Sequence, residues 1–229
     1  MQSKALIAGI IVLVILAGGF LYYSQQATAP VEEVSDLSTD TSMPTLDEPA
    51  EEMVVDGQVY SVDTAKSSLA WHAERIVGNA HDGTVPIVDG QVVVKDDQFV
   101  SGEFTVSVAD LTEKENNERF LTHVKSDDFF SVDAYPTSQM VITQVSATED
   151  ADMFTVTGDL TIKGITNSIT FPAKNVREGD DIRATADFTI DRTQWGIVYD
   201  SGTILSELGD RAIRDEIEYS LVLVVTPQN

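Results

Sequence analysis

From Val59 onward apolar residues recur at every second position, and this period constrains the fold more than any other feature of the chain. In "FTVTGDLTI" Phe154, Val156, Leu160 and Ile162 share one face, while Thr155, Thr157, Asp159 and Thr161 share the other. In "IRATADFTID" Ile182, Ala184, Ala186, Phe188 and Ile190 alternate with Arg183, Thr185, Asp187, Thr189 and Asp191. The same alternation surrounds Leu69, Trp71 and Ala73, then Phe104, Val106 and Val108, and finally Ile217, Tyr219, Leu221 and Leu223. Successive side chains of a strand point to opposite faces, so each run predicts a strand with one apolar and one wet face. Turn signals punctuate the runs at Asp89-Gly90, at Lys95 in "KDD", at Lys163-Gly164, and at "REGDD" from Arg177 to Asp181. No long helical crossover intervenes, so neighbours pair antiparallel. A meander with one apolar face must bury it, either as a sandwich or as a closed barrel, and closure also removes exposed edges. About eight strands are expected.

Two segments break the period. "NNERFLTHV" sets Phe120, Leu121 and Val124 at helical spacing, with Glu115 and Glu118 near its start, and predicts a short helix on the sheet. "SELGDRAIRDE", from Ser206 to Glu216, reads as one or two helical turns before the last strand. The stretch "HVKSDDFFSVDAYP" fits neither period. There Ser126 suits an N-cap, with Asp127 and Asp128 in the first turn that follows. Pro136 stops the turn from continuing as helix. Phe129 and Phe130 then face inward, either as cavity wall or lid, or as a plug.

The N-terminal quarter is different. No charge occurs from Ala5 to Tyr23, and a helix of that length spans roughly 28 Å, close to the ~30 Å hydrocarbon core of a bilayer. Lys4 precedes it and acidic residues follow, which orients residues 1–23 as a single transmembrane helix with its N-terminus in the cytoplasm. The competing reading is a signal peptide cleaved near Ala27 to Ala29, which yields a secreted protein. Either way the remainder is exported, to a periplasmic or cell-surface location. Residues 24–57 are acidic, without Lys or Arg and without apolar period. They predict a disordered linker with a span of about 30 Å, ahead of a barrel domain over 58–229.

Charge and motifs narrow the functional classes. The chain has 14 Lys and Arg against 38 Asp and Glu, a net charge of -24, which repels nucleic acid. It has no cysteine, so disulfides, thiol catalysis and cysteine metal sites are ruled out. His72, His81 and His123 are scattered, and HExxH, EF-hand, GxSxG, P-loop and GxGxxG patterns do not occur. No catalytic residue, metal or cofactor is therefore expected.

An ordered set of short stretches carries a family resemblance. "LAWHAERIVGNAHDGTV" is followed by "SGEFTVSVADL", "HVKSDDFFSVDAYPT" and "VTGDLTIKGITNSITFPA", then by "ATADFTIDRTQWGIVYDSG" and "LGDRAIRDEIEYSLVLV". In this order and spacing, from about Val59 to Val225, the chain is similar to the YceI-like family of lipocalin-fold, isoprenoid-binding, exported bacterial proteins. The resemblance implies an all-β, extended, eight-stranded antiparallel barrel, lipocalin-like, with one or two short helices and a long apolar interior. That interior would hold a prenyl or acyl chain. Where family members often carry lysine before "GxxHxG", Arg75 stands here, which keeps the charge but changes the geometry.

A barrel of this size either packs solid or encloses one small ligand. The candidate cavity wall or rim comprises Trp71, Phe104, Phe129, Phe130, Phe154, Leu160, Phe171, Phe188, Ile190 and Trp195. Trp195 either touches ligand or only staples its loop. Candidate headgroup contacts are Arg75, His81 and Arg192, and Arg192 has Asp191 as an alternative partner. The expected function is a membrane-tethered extracytoplasmic lipid carrier, whose partners are a long-chain isoprenoid or acyl lipid and the membrane. The alternatives are a barrel enzyme acting on an apolar substrate, with His81 and a carboxylate as its dyad, and a solid-core surface module.

Overall fold

A computed structural model describes residues 56–150 and 152–228. The expected membrane segment 1–23 and nearly all of the linker 24–57 lie outside the described residues. Among the described residues no helix is long and apolar enough to cross a membrane.

Eleven strand segments form one antiparallel sheet that closes on itself. They are β1 (Gln58–Val62), β2 (Ser68–Glu74), β3 (Ala80–Val85), β4 (Ile87–Lys95), β5 (Gln98–Ser107), β6 (Thr112–Glu113), β7 (Thr137–Ala147), β8 (Met153–Ile162), β9 (Ile165–Glu178), β10 (Asp181–Asp191) and β11 (Glu216–Pro227). β1 and β2 lie end to end along β11, with Val62 opposite Val225 and Ser68 opposite Val222. β3 and β4 are likewise one run interrupted at Pro86, and β6 prolongs β5 to pair with β3. Counted as continuous staves, the barrel has the expected eight strands.

The alternation survives as burial. Phe154, Val156 and Ile162 are buried on β8, and Ile182, Ala184, Ala186 and Ile190 are buried on β10, while their neighbours in sequence face outward. Hairpin loops of two residues occur where turn chemistry predicts them. Asp96 and Asp97 both have positive φ, as do Lys163 and Gly164, the pattern of the primed turns whose twist matches a sheet. Gly179 opens the loop between β9 and β10 at φ 68°.

Asp89-Gly90 is a correction. It lies inside β4, beside a register shift between Ile87 and Asp89. A Cβ on Gly90 would come within 2.7 Å of Val62 and 2.8 Å of Phe104. This glycine serves close approach of the barrel walls rather than a turn.

Helix α1 (Glu118–Lys125) is where the helical spacing placed it, with the Asn117 side chain capping the Phe120 amide at 3.1 Å. Ser126 is a second correction. It closes the C-terminus of α1, donating its hydroxyl to the His123 carbonyl at 2.7 Å, and does not cap a later turn. The segment expected as helix from Ser206 to Glu216 is a 3₁₀ stretch over Ser206–Arg211 only, broken at Gly209, and residues from Ala212 onward run extended. The glycine's φ of 52° and ψ of -128° interrupt any helical ladder there.

All strands run between two unlike ends. One end carries the short β4–β5, β7–β8 and β9–β10 connections. The other carries α1, the β2–β3 connection and the long connection 192–215. At the hairpin end the interior is solid, with Val92, Ile182 and Val225 wholly buried and Tyr60, Val94 and Leu223 almost so.

Candidate functional site

At the opposite end the interior is hollow. A cavity of about 210 Å³ opens there, well above the roughly 10–15 Å³ that a single buried water needs. The alternative of a solid-core module does not fit this interior, although the hollow occupies only one part of the tube. Each of the eight staves contributes inward residues on the cavity side. On β10 Phe188 and Ile190 line the space, whereas Ala186, Ala184 and Ile182 do not. On β8 Leu160 and Ile162 line it, while Val156 and Phe154 lie beneath the floor. On β11 Ile217 and Tyr219 line it, and the buried Leu221 and Leu223 do not. Phe104, Met140, Phe171 and Leu69 complete the lower wall.

The lining is aromatic and aliphatic, with its rings in ordered contact. Phe171 stacks on Phe188 with centroids 4.6 Å apart, and Phe188 stacks on Tyr219 at 5.4 Å. Trp71 stacks on Phe120 of α1 at 5.9 Å, and His81 covers the same ring at 4.0 Å. A Cβ at Gly83 would come within 2.7 Å of the Trp71 indole and 1.9 Å of the Thr112 carbonyl, so only glycine lets the tryptophan lie flat against β3.

The stretch of aspartates and phenylalanines that fits neither period now has a place. Phe129 and Phe130 line the cavity from the turn after α1. His123 holds that turn, its Nε2 pairing with Asp128 at 2.9 Å, and its ring meets Phe129 edge-on at 5.1 Å and Tyr199 at 4.7 Å. Phe129 also packs against Tyr199 at 5.3 Å, so the turn and the 192–215 connection meet over the cavity.

Charge collects at the mouth. Glu74 and Arg75 both line the opening with side chains 43% and 39% exposed, so the cavity reaches solvent there. Arg75 donates to the Arg211 carbonyl and lies 3.5 Å from Asp200, while Glu74 is paired with Arg214 at 2.7 Å. His81 Nδ1 lies 3.2 Å from the Glu113 carboxylate. The Asn117 backbone amide holds the Glu113 carboxyl below its ordinary pKa, with the His81 ring adding to the effect and burial opposing it. Glu113 also accepts from the Glu115 amide, so this one side chain fixes both His81 and the start of α1.

Arg192 borders the cavity but is consumed by structure. It donates to the carbonyls of Ile197 at 2.9 Å, Arg214 at 3.2 Å and Ile213 at 3.3 Å, and pairs with Asp215 at 3.1 Å. Asp215 also accepts from Ser201 and Thr203, and Arg192, Ser201 and Asp215 are all buried. Burial pulls the guanidinium below its usual pKa, and Asp215 opposes that pull. The partner expected from sequence, Asp191, instead caps Thr193 at 2.9 Å. A buried charge with a full complement of partners is a fastening for the 192–215 connection.

Of the predicted wall residues, Trp71, Phe104, Phe129, Phe130, Leu160, Phe171, Phe188 and Ile190 line the cavity together, as do Arg75, His81 and Arg192. Two do not. Phe154 packs below the floor, 6% exposed, because its strand position lies too far toward the hairpin end. Trp195 is 1% exposed in a separate small cluster with Ile162, Ile190 and Ile197, and its Nε1 donates to the Leu160 carbonyl at 2.9 Å. It staples the loop. Sequence reading missed Phe120, Met140, Ile169, Tyr199 and Tyr219 as lining residues. Tyr219 and Phe120 stood on the right faces in the periodicity. Tyr199 carried no local signal, since its position follows from the path of the long connection.

Comparison with known proteins agrees with this architecture. The YceI-like domain model matches residues 60–225. The Protein YceI of Shigella flexneri is 30% identical over 99 residues, covering 43% of this chain and 51% of that protein, so the chain spans about half the length of these curated relatives. A UPF0312 protein of Staphylococcus aureus is 30% identical over 145 residues, covering 60% of this chain and 81% of its own. Among solved structures, Burkholderia cenocepacia BcnA superposes with a TM-score of 0.60 at 22% identity, over 71% of this chain and 98% of BcnA. A polyisoprenoid binding domain from Saccharophagus degradans gives 0.59 at 12% identity, over 75% of this chain and 99% of its own. At these identities the structural likeness speaks to fold.

Proposed function

The chain belongs to the YceI-like domain family, and from that membership and its one-ended apolar cavity we propose that it binds the tail of an isoprenoid or other long-chain lipid. The observation that carries this reading is the hollow half of the barrel, walled by Phe104, Phe171, Phe188, Ile169, Leu160 and their neighbours, with Glu74 and Arg75 at its mouth. Each CH₂ moved out of water contributes roughly 0.8 kcal/mol, so a chain binds here with few polar contacts, less the cost of ordering it. A neighbour of the same fold is described as a polyisoprenoid binding domain, which supports the isoprenoid class.

The reading extends to location. Residues 1–23 anchor the protein in a membrane, and the acidic linker lets the barrel range outside the cytoplasm near its lipid source, as a carrier or sink. The chemistry is binding rather than turnover. Native mass spectrometry of the full chain, extracted in mild detergent and offered prenyl lipids, should show a chain-like adduct. Apo mass alone with no uptake overturns the proposal, and conversion of the lipid to a new product replaces it with an enzyme. Protease confined to the outer face of the membrane should digest the barrel, and full protection would overturn the location.

A further inference from the structure

The cavity is apolar almost throughout, but one hydroxyl near its floor has no explanation in the fold. Tyr219 lies at the deepest level at which β11 borders the cavity, with the packed Leu221 beyond it. Its ring extends the Phe171–Phe188 stack and sits in register with Trp71 across the β2–β11 ladder. Packing thus accounts for the ring. The hydroxyl has no hydrogen-bond partner among the described residues. Burial pushes it up to about 12, so it remains a neutral O–H at any ordinary pH. A second hydroxyl repeats the pattern. Ser138, 7% exposed, lines the same cavity from β7, four staves around the barrel from β11, and its side chain also lacks a partner among the described residues. Tyr219 is half-buried and lines the cavity, so its unpartnered hydroxyl is left for water or a ligand to pair. Phenylalanine would supply the same ring there without a donor.

We propose that Tyr219 is a specificity-determining residue that donates its hydroxyl to an uncharged oxygen of the bound lipid, so that the cavity selects a chain carrying a carbonyl-type acceptor over plain hydrocarbon. The inference rests on reading the cavity as a lipid site and adds which atom of the lipid is recognised there. The oxygen is uncharged because nothing near the floor can neutralise it. Arg192 is spent on Asp215 and three carbonyls, and Arg75 stands at the solvent-facing mouth. An ionised group drawn down among Phe104, Met140, Phe171 and Phe188 would lose its hydration without gaining a counter-charge.

The test compares wild-type full-length protein with Tyr219→Phe, each offered a long-chain methyl ketone and, separately, the alkane of equal carbon number, with occupancy read by native mass spectrometry. Phenylalanine keeps the ring and its stacking. Wild type should favour ketone over alkane, and the variant should lose that preference by roughly fivefold, the worth of one net hydrogen bond, while its alkane uptake stays at the wild-type level. An unchanged ketone preference in the variant overturns the proposal. So does an equal fall for both probes, which would make Tyr219 a packing residue only. If wild type takes up neither probe, the lipid-binding reading itself fails and this inference falls with it.

Discussion

Arg192 and Asp215 show how a single pair can hold a functional edge in place. Their charges are buried together, and the guanidinium gathers three carbonyls from the connection that roofs the cavity. Removing one partner strands the other charge away from water, so Arg192→Met should destabilise the barrel by about 3–5 kcal/mol in urea titration. The double variant Arg192→Met with Asp215→Leu should cost less than the single one, because no lone charge remains. Equal losses would show that the pair adds nothing beyond its separate packing. Arg192 was legible in sequence as a strand-end cation, but its partner was not. Asp191 is adjacent in sequence, whereas Asp215 arrives by a loop of more than twenty residues whose course no local pattern encodes.

At the scale of elements, α1 depends on a residue outside it. Glu113 of β6 receives the amides of Glu115 and Asn117, and its carboxyl is held below the ordinary range chiefly by the Asn117 amide. A carboxyl whose folded pKa is depressed contributes stability above its unfolded pKa and loses it as pH falls through the folded value. The helix edge of the cavity should therefore loosen only below the usual carboxylate range. Amide exchange at Phe120 and Leu121, followed from neutral pH into that acidic window, should rise in wild type, and Glu113→Gln should show high exchange already at neutral pH. A flat profile in wild type would remove Glu113 from this role. Trp195 fastens the other side. Replacing it with alanine should cost about 3–5 kcal/mol by denaturant melt, as for other buried tryptophans, while the lining residues stay in place. A loss under 1 kcal/mol would mean that the cluster around Ile162, Ile190 and Ile197 collapses to fill the gap.

The barrel divides its interior between stability and function. The hairpin end is solid and the mouth end hollow, so occupancy should stabilise the whole molecule by mass action. A prenyl lipid at a hundredfold excess over its dissociation constant should add about 2.7 kcal/mol, a rise in Tm of roughly 5–10 °C for a domain of this size. Scanning calorimetry with and without lipid would read this directly, and an unchanged Tm would count against binding inside the barrel. The net charge of -24 repels anionic surfaces.

The amino-acid sequence by itself determined the strands, their inward faces, the tight turns at Asp96 and Lys163, and the helix around Phe120. Each follows from covalent geometry within a few residues, since alternation and helical spacing are local consequences of backbone shape. Tertiary structure alone decided where the hollow begins. Phe154 and Leu160 share one face of one strand, yet only Leu160 meets open space. Gly90 looked like a turn and is instead a point where two walls touch. A void is set by the summed volumes of residues brought together from eight staves, and that sum exists only once the ring has closed.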